Sequence, residues 1–333
     1  MTTIAYVGCA HIHTPGFVNR LNNRDDVTVK SVWDHQHDRA ARYAHELGAA
    51  VVADVTDIWR DDTIEAVVIC AETKRHEALV LDAAAAKKHL FVEKPLGIGA
   101  ADAYKMARAI DAAGVQFSTG YFQRGSAINQ FLKSHIEQGS FGTITRIHHA
   151  NCHNGGQRGY FDDEWAWMAD LEQAGVGAFG DMGTHSLDLM MWLLGDVSAV
   201  IADFHPATGR FGETDEYGEG LLRFTNGVTG VLSASWVHVG FGNTALISGT
   251  EGSAYYDERG LVFKSAHIDG ADGESLWTDL PDALPHAFEL FFDALGGADA
   301  PLVTPQEAAQ RSAVMEALYR SMSEGRWVQP LAG

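Results

Sequence analysis

The sequence has little cysteine, no excess of positive charge and no long hydrophobic run. Three cysteines among 333 residues, none in a CxxC pair, argue against a disulfide framework, so we expect a cytoplasmic protein. Acidic residues outnumber basic ones by 44 to 24, which disfavours nucleic acid and anionic membrane surfaces as partners. The most apolar segment, residues 187–194, is interrupted by Asp188 and is too short to span a bilayer.

Strands and helices are predicted to alternate over the first third of the chain. Apolar runs typical of buried strands recur between helical segments, and Thr14-Pro15 is a helix-starting signal. The predicted strands lie at residues 4–8, 27–33, 65–70, 90–93 and 115–119. This alternation predicts right-handed crossovers and a doubly wound, mostly parallel sheet.

From about residue 196 the pattern changes to short strands separated by turns, which predicts a large, mostly antiparallel open sheet. Asn226-Gly227 between two apolar runs is typical of a tight hairpin turn. Thr304 and Glu307 form a capping box that begins a closing helix. We therefore predict two α/β domains, residues 1–122 and 123–333, with the last helix packing back on the first domain.

The turn after the first strand has the position of a dinucleotide-binding turn without its composition. The pattern G-x-G-x-x-G lets a pyrophosphate approach backbone N–H groups at a helix N-terminus, whereas this chain has Gly8-Cys9-Ala10-His11-Ile12-His13. Alone, the turn is equally consistent with one that binds no ligand. Asp34, at the end of the second strand, is placed to accept the ribose hydroxyl protons of NAD. Its alternative role is a surface carboxylate that caps the next turn.

Two later segments carry side chains suited to proton transfer. Lys94 follows Glu93 at a strand end and precedes Pro95, so its amine is expected at the carboxyl edge of the sheet, within reach of a substrate hydroxyl. Asp181 and His185 are four residues apart on a predicted helix and share a face, and a histidine can take a hydroxyl proton near neutral pH. Each residue alone also fits a structural role, as a solvated lysine, a capping aspartate or a core histidine.

His11-x-His13 directly after a strand suggests a second class of protein. A strand-end HxH pair begins the binuclear metal site of amidohydrolase-type barrels, and His149, His153 and His185 are available to join it. The strand-rich segment after residue 196 does not suit a (β/α)₈ barrel. We therefore expect no metal ion, and a metal-dependent hydrolase is the alternative hypothesis.

The two proton-transfer segments resemble the signatures of the Gfo/Idh/MocA oxidoreductases, the relatives of glucose–fructose oxidoreductase and inositol dehydrogenase. The matching stretches are Glu93-Lys94-Pro95-Leu96-Gly97 and residues 180–188 (GDMGTHSLD) with Trp192-Leu-Leu-Gly195, and their order and spacing fit over nearly the whole chain. The resemblance implies a Rossmann domain, a second α/β domain used for oligomer contacts, a tightly held nicotinamide cofactor, and a sugar, inositol or glycoside substrate.

The resemblance also implies roles for individual residues. Lys94, Asp181 and His185 would form the catalytic group, with His185 as general base and hydride passing to the nicotinamide. The implied cofactor contacts are Gly8, Cys9, Ala10, His11, Ile12, His13, Asp34, Thr73, His76, Glu93 and Lys94. The implied substrate contacts, besides the catalytic group, are Tyr121, Arg124, His153 and Trp165.

The altered glycine pattern is the main departure from that family. Either the pyrophosphate lies further out and His11 or His13 donates to it, or cofactor binding is weaker, as in a non-catalytic relative. Asp34, with no arginine directly after it, favours NAD over NADP. We expect an NAD-dependent dehydrogenase or reductase of a small polyhydroxylated molecule, assembled as a homodimer or homotetramer through the C-terminal sheet.

Overall fold

A parallel sheet organises the first part of the chain. The computed structural model describes residues 1–240 and 242–333, and within them six strands form this sheet. They are β1 (Thr2–Cys9), β2 (Val27–Trp33), β3 (Ala50–Val51), β4 (Ala66–Cys70), β5 (His89–Val92) and β6 (Phe117–Thr119). Their order is β3-β2-β1-β4-β5-β6, so strands are added on one side of β1 up to β3 and on its other side from β4 onward, and doubly wound sheets form their ligand crevice at this switch. The predicted parallel sheet is confirmed.

Helices cover both faces of this sheet. They are α1 (Thr14–Asn22), α2 (His37–Leu47), α3 (Thr56–Arg60), α4 (His76–Ala85) and α5 (Ala100–Ala113). Because both faces are covered, β4 is buried along its whole length, which explains its continuous apolar run. The crevice therefore opens only at the carboxyl edge of the sheet.

The second sheet is larger and mixed. Among the described residues its strands are β7 (Ile144–Cys152), β8 (Val197–His205), β9 (Tyr217–Phe224), β10 (Thr229–Ser235), β11 (Asn243–Gly249), β12 (Gly252–Asp257), β13 (Gly260–Ser265) and β14 (Asp272–Trp277). Their order is β14-β13-β12-β11-β7-β10-β9-β8, and each pair of neighbours is antiparallel except β7 with β10. The predicted mostly antiparallel sheet is confirmed, and Asn226-Gly227 joins β9 to β10 with Gly227 at φ 91°.

Helices α6 (Ala127–Glu137) and α8 (Ala178–Leu194) pack with the second sheet, and the short α7 (Leu171–Ala174) contacts the 3₁₀ turn at Thr73–Arg75 after β4. Nearly all of α8 is buried, and its residues Leu187 and Met190 pack with Leu232 of β10 in one hydrophobic core. The first turn of α8 lies at the cleft toward the parallel sheet, because Asp181 of that turn contacts Lys94 after β5.

The last two helices return to the parallel sheet. Helix α9 (Ala287–Leu295) places Phe288 in a stack on Phe17 of α1, with ring centroids 4.4 Å apart. Helix α10 (Pro305–Glu324) packs along α5, and its Glu316 accepts the N–H of Ala100 at the start of that helix. In the described residues, no helix combines the length and the apolar composition that a membrane span needs.

Candidate active site

A buried ion pair joins the end of β5 to the first turn of α8. Lys94 Nζ donates to Asp181 Oδ1 over 2.7 Å, and the lysine side chain is only 2% exposed. The other carboxylate oxygen of Asp181 accepts the indole N–H of Trp236 over 3.0 Å. Burial raises the pKa of Asp181, but the charge and hydrogen bond of Lys94 outweigh it, so that pKa lies below its ordinary value. The aspartate is therefore held as an anion.

His185 lies one helical turn beyond Asp181, on the same face of α8, as the spacing predicts. Its ring is buried beside Phe122 and Tyr121, with centroids 5.3 and 6.2 Å away, and its Nδ1 has no hydrogen-bond partner. Burial, followed by the nearby charge of Lys94, lowers the pKa of His185 well below 6.5. A neutral imidazole beside an ammonium group can accept a proton near pH 7.

The turn after β1 brings two histidines to this group. His13 Nδ1 lies 3.2 Å from Oε1 of Glu93, and Glu93 is fully buried with Oε2 lacking a partner. The ring of His13 is centred 4.7 Å from that of His11 and 6.4 Å from that of His185. Burial, followed by the proximity of His13, lowers the pKa of His11 well below 6.5. His13, which replaces the last glycine of the usual pattern, and its neighbour His11 therefore lie beside the predicted catalytic group.

The carboxyl edge of the parallel sheet has room for a nucleoside. A cavity of about 660 Å³ lies there, and its lining includes Trp33 at the end of β2 and Glu72 and Arg75 after β4. Gly8 allows the end of β1 to lie close to the end of β4. Its φ is 75°, and a Cβ on Gly8 would lie 2.5 Å from Cβ of Ala71. The cavity occupies the place where a doubly wound sheet binds the adenosine half of a dinucleotide.

Asp34 lies at the end of β2 as predicted, but its carboxylate is already occupied. Arg39 Nε and a terminal nitrogen each donate to it over 2.8 Å, and the N–H groups of Cys9 and Gln36 donate over 2.6 and 2.7 Å. Arg39 also donates to Glu72 over 2.9 Å. With two carboxylates balancing its charge, Arg39 is not free to bind a 2′-phosphate, and the local sequence gave no sign of this pairing.

His76, predicted as a cofactor contact, faces protein instead. One ring nitrogen lies 3.1 Å from the carbonyl oxygen of Ala71, and the other lies 3.2 Å from those of Pro95 and Leu96. The ring therefore ties the loop after β4 to the loop after β5. Thr73, three positions earlier, is buried at the start of a single 3₁₀ turn.

Two of the predicted substrate contacts, Tyr121 and Arg124, have different surroundings in the structure. Tyr121 lies beside His185, and its hydroxyl is buried 3.0 Å from the Thr184 hydroxyl. Arg124 donates to Asp188 and Glu307, over 2.9 Å in each case, and is mostly buried. Two carboxylates therefore hold the guanidinium of Arg124 in an ion-pair network, and its contact with substrate stays a prediction.

Residues 153–175 cover the turn after β1, an arrangement that the sequence did not predict. Trp167 donates its indole N–H to the Ala10 carbonyl over 2.9 Å, and Trp165 packs in the same cluster. His153 begins this segment and accepts the N–H of Gly155 over 2.9 Å. Burial lowers the pKa of His153, and the charge of Asp181 partly opposes this effect, which places His153 near the ion pair.

The family of the chain follows from comparison with known proteins. Residues 2–121 match the oxidoreductase family with an NAD-binding Rossmann fold, and residues 129–255 match the GFO/IDH/MocA C-terminal domain. The chain therefore belongs to the Gfo/Idh/MocA oxidoreductases, as the two motifs predicted, and its parallel sheet is an NAD-binding Rossmann domain.

Individual relatives agree with this assignment. The myo-inositol 2-dehydrogenase of Thermotoga maritima is 28% identical over 263 residues, covering 76% of this chain and 75% of that protein. The 1,5-anhydro-D-fructose reductase of Ensifer adhaerens is 26% identical over 311 residues, covering 90% of each. A solved levoglucosan dehydrogenase in complex with NADH and levoglucosan shares the fold, with a TM-score of 0.84 over 99% of this chain and 100% of that chain at 21% identity.

The alternative hypothesis of a metal-dependent amidohydrolase is wrong. Among the described residues, the strand that carries His11-x-His13 belongs to an open six-stranded sheet rather than to a closed eight-stranded barrel. The fold also brings Lys94, Asp181 and His185 together at one cleft beside a dinucleotide-binding sheet. This arrangement is suited to proton and hydride transfer.

Proposed function

We propose that the protein oxidises a secondary hydroxyl of a sugar, inositol or glycoside with NAD, or reduces the corresponding ketone with NADH. The observation that carries the proposal is the 2.7 Å pair of Lys94 and Asp181 beside His185, whose pKa lies well below 6.5. The substrates in the names of the related inositol, anhydrofructose and levoglucosan enzymes support the polyhydroxylated class.

Each member of the catalytic group has one task in the oxidation direction. His185 accepts the hydroxyl proton, because burial keeps its imidazole neutral. Lys94 donates a hydrogen bond to the same oxygen and stabilises negative charge that develops there. Asp181 holds the lysine ammonium in place. When bound, NAD supplies the hydride acceptor.

The residues that would hold NAD lie along the carboxyl edge of the Rossmann sheet. The cavity beside Trp33 and Arg75 would take the adenosine, and Asp34 and Thr73 lie at the strand ends next to it. The N-terminal end of α1 would face the pyrophosphate. Because Asp34 and Glu72 already balance the charge of Arg39, we propose NAD rather than NADP.

The proposal is tested by following nicotinamide absorbance with a panel of substrates. Purified protein with NAD is offered myo-inositol, levoglucosan and simple glucosides, and with NADH it is offered 1,5-anhydro-D-fructose. We expect turnover with a member of this panel, and a rise in melting temperature with NAD that exceeds the rise with NADP. No shift with either dinucleotide, together with no turnover, would contradict the proposal.

We also propose a cytoplasmic homo-oligomer. Cys9 and Cys70 pair across β1 and β4 as free thiols, which suits a reducing compartment. The exposed face of the second sheet carries Tyr217, Leu221 and Tyr255, apolar groups suited to burial against a second copy. Light scattering on the eluted protein tests the assembly, and Leu221→Glu should shift it toward monomer.

A further inference from the structure

The turn after β1 and the end of β5 form a polar cluster that the proposed chemistry gives no step. Its members are His11, His13 and Glu93, and one ligating atom from each lies within 4.8 Å of the others. Glu93 directly follows β5 and is 80 positions after His13, so the fold rather than local sequence assembles the group. Two imidazoles and one carboxylate form a donor set that suits divalent transition metals such as Fe²⁺, Zn²⁺ and Co²⁺.

Charge around the cluster is unbalanced. Glu93 is 0% exposed, and its Oε2 has no hydrogen-bond partner, an arrangement that is costly for a buried carboxylate. The nearest ammonium group, on Lys94, is engaged with Asp181 over 2.7 Å. With Lys94 engaged by Asp181, the imidazole of His13 is the group that faces the Glu93 carboxylate, and a cation bound between them would balance the carboxylate charge.

The backbone of the turn after β1 offers few free donors, so the side chains of His11, His13 and Glu93 are the main polar groups there. The N–H groups of Ala10 and His11 both donate to the Cys70 carbonyl over 3.0 Å, so these two backbone donors are already used. Next to the cluster, His185 has a buried Nδ1 without a partner, with its ring centred 6.4 Å from that of His13. A second unsatisfied ligand-type atom thus lies beside the same cluster.

We propose that His11, His13 and Glu93 bind one divalent transition-metal cation, with coordination positions left open to the cleft. The sequence predicted no metal, because the HxH motif was weighed only as part of a barrel. In the structure the motif follows a strand of an open sheet rather than of a barrel, and Glu93, directly after β5, supplies the third ligand. The proposal does not depend on the substrate class proposed above.

Cobalt is the probe, because its visible d–d bands report coordination directly. The full-length protein, stripped with a chelator and dialysed, is titrated with Co²⁺ alone, and Zn²⁺ binding is measured by calorimetry. We expect one equivalent to bind and d–d bands to appear. His13→Ala should weaken binding at least about 100-fold, since loss of outer-shell partners alone weakens metal sites about 10–100-fold.

Two further variants make the result specific. Glu93→Gln keeps the size of the side chain, removes its charge and should weaken binding as His13→Ala does. His37→Ala removes an imidazole whose side chain is 74% exposed elsewhere on the domain, and it should leave binding unchanged. Circular dichroism and elution volume verify folding, and His13→Ala stays informative if Glu93→Gln does not fold. Absence of a one-equivalent site, or equal affinity in wild type and His13→Ala, would overturn the proposal.

Discussion

Lys94 and Asp181 are 87 positions apart in the chain, and their side chains meet over 2.7 Å between the Rossmann sheet and the first turn of α8. A buried ion pair of this kind adds little net stability, because desolvation offsets most of the Coulomb attraction. Losing one partner is costly, however, because the other charge is left buried and unpaired. The pair therefore fits a chemical role, and it makes the two halves of the site depend on each other.

Lys94→Met should nearly abolish turnover while NAD still binds. Removing a positioned proton-transfer or charge-stabilising group costs about 100- to 10,000-fold in rate, so kcat/KM should fall by that range. The melting-temperature rise with NAD measures binding on the same sample. Lys88→Met is the matched control: Lys88 is also buried, precedes the opposite end of β5, and donates to the carbonyls of Asp61 and Ile64. Retained turnover in Lys94→Met would mean that another group stabilises the reacting oxygen.

The same variant should destabilise the fold through Asp181. Lys94→Met leaves a buried carboxylate with only the Trp236 donor, at a cost of about 3–5 kcal/mol in the free energy of unfolding. Asp181→Asn in the same chain removes the charge, so the double variant should be more stable than Lys94→Met alone. Urea unfolding of the wild type and the three variants gives the coupling energy. Additive effects would show that the pair is not coupled.

Trp236 should act as a positioning residue for Asp181. Its indole hydrogen bond holds the second carboxylate oxygen of Asp181 and helps to lower the pKa of that carboxyl, so Trp236→Phe should lower kcat with little change in KM. The hydrogen bond to a charged group accounts for about 1.5–3 kcal/mol, which predicts a clear loss of stability as well. Trp59→Phe is the control, because the Trp59 indole nitrogen is buried without a partner. An unchanged kcat in Trp236→Phe would limit the residue to packing.

The sequence predicted that Lys94, Asp181 and His185 meet because each lies in a short local motif. Glu93-Lys94-Pro95 ends a strand, and Asp181 and His185 share a helix face, so their meeting required only the expected domain layout. Motifs and periodicity describe the local chain. They are sufficient to predict which side chains meet when those side chains lie at strand ends and on helix faces. The same reasoning predicted a parallel first sheet and a mostly antiparallel second one.

Hydrogen-bond partners outside the motifs explain what the sequence could not predict. Arg39 forms an ion pair with Asp34, and Arg124 forms ion pairs with Asp188 and Glu307. Nothing in the residue types around either site indicates these pairings. Trp236 looks like one apolar residue in a strand-rich stretch, and its hydrogen bond to Asp181 crosses 55 positions. Such contacts depend on how the elements pack within each domain, which one sequence does not specify.

The pH dependence of turnover should reflect a neutral His185. Burial and then the Lys94 charge lower its pKa well below 6.5, so the imidazole stays deprotonated, and able to accept a proton, until the pH is well below that value. The acidic limb of kcat/KM in the oxidation direction should therefore lie well below pH 6.5. Stopped assays in overlapping buffers measure it, with unfolding monitored separately. A limb at or above pH 6.5 would show that the charge of His185 is stabilised in the working enzyme.

His149 should make folding stability depend on pH. It is buried between the hydroxyls of Ser186 and Tyr256, 2.7 and 3.0 Å from its ring nitrogens, and burial lowers its pKa to about 4. Between about pH 4 and its ordinary value of 6.5, the unfolded chain binds a proton that the folded chain does not. The contribution of His149 is therefore complete above pH 6.5 and is lost as the pH falls toward 4.

The size of this effect follows from the shift in pKa. Each unit corresponds to about 1.4 kcal/mol, so His149 should account for a loss of about 3 kcal/mol in the free energy of unfolding between pH 7 and pH 4. His149→Gln keeps a polar side chain between Ser186 and Tyr256 but cannot titrate, so its stability should fall less over the same range. Urea unfolding of both proteins at several pH values isolates the difference, because the other buried histidines are common to both. Parallel stability curves would show that His149 titrates alike in the folded and unfolded chains.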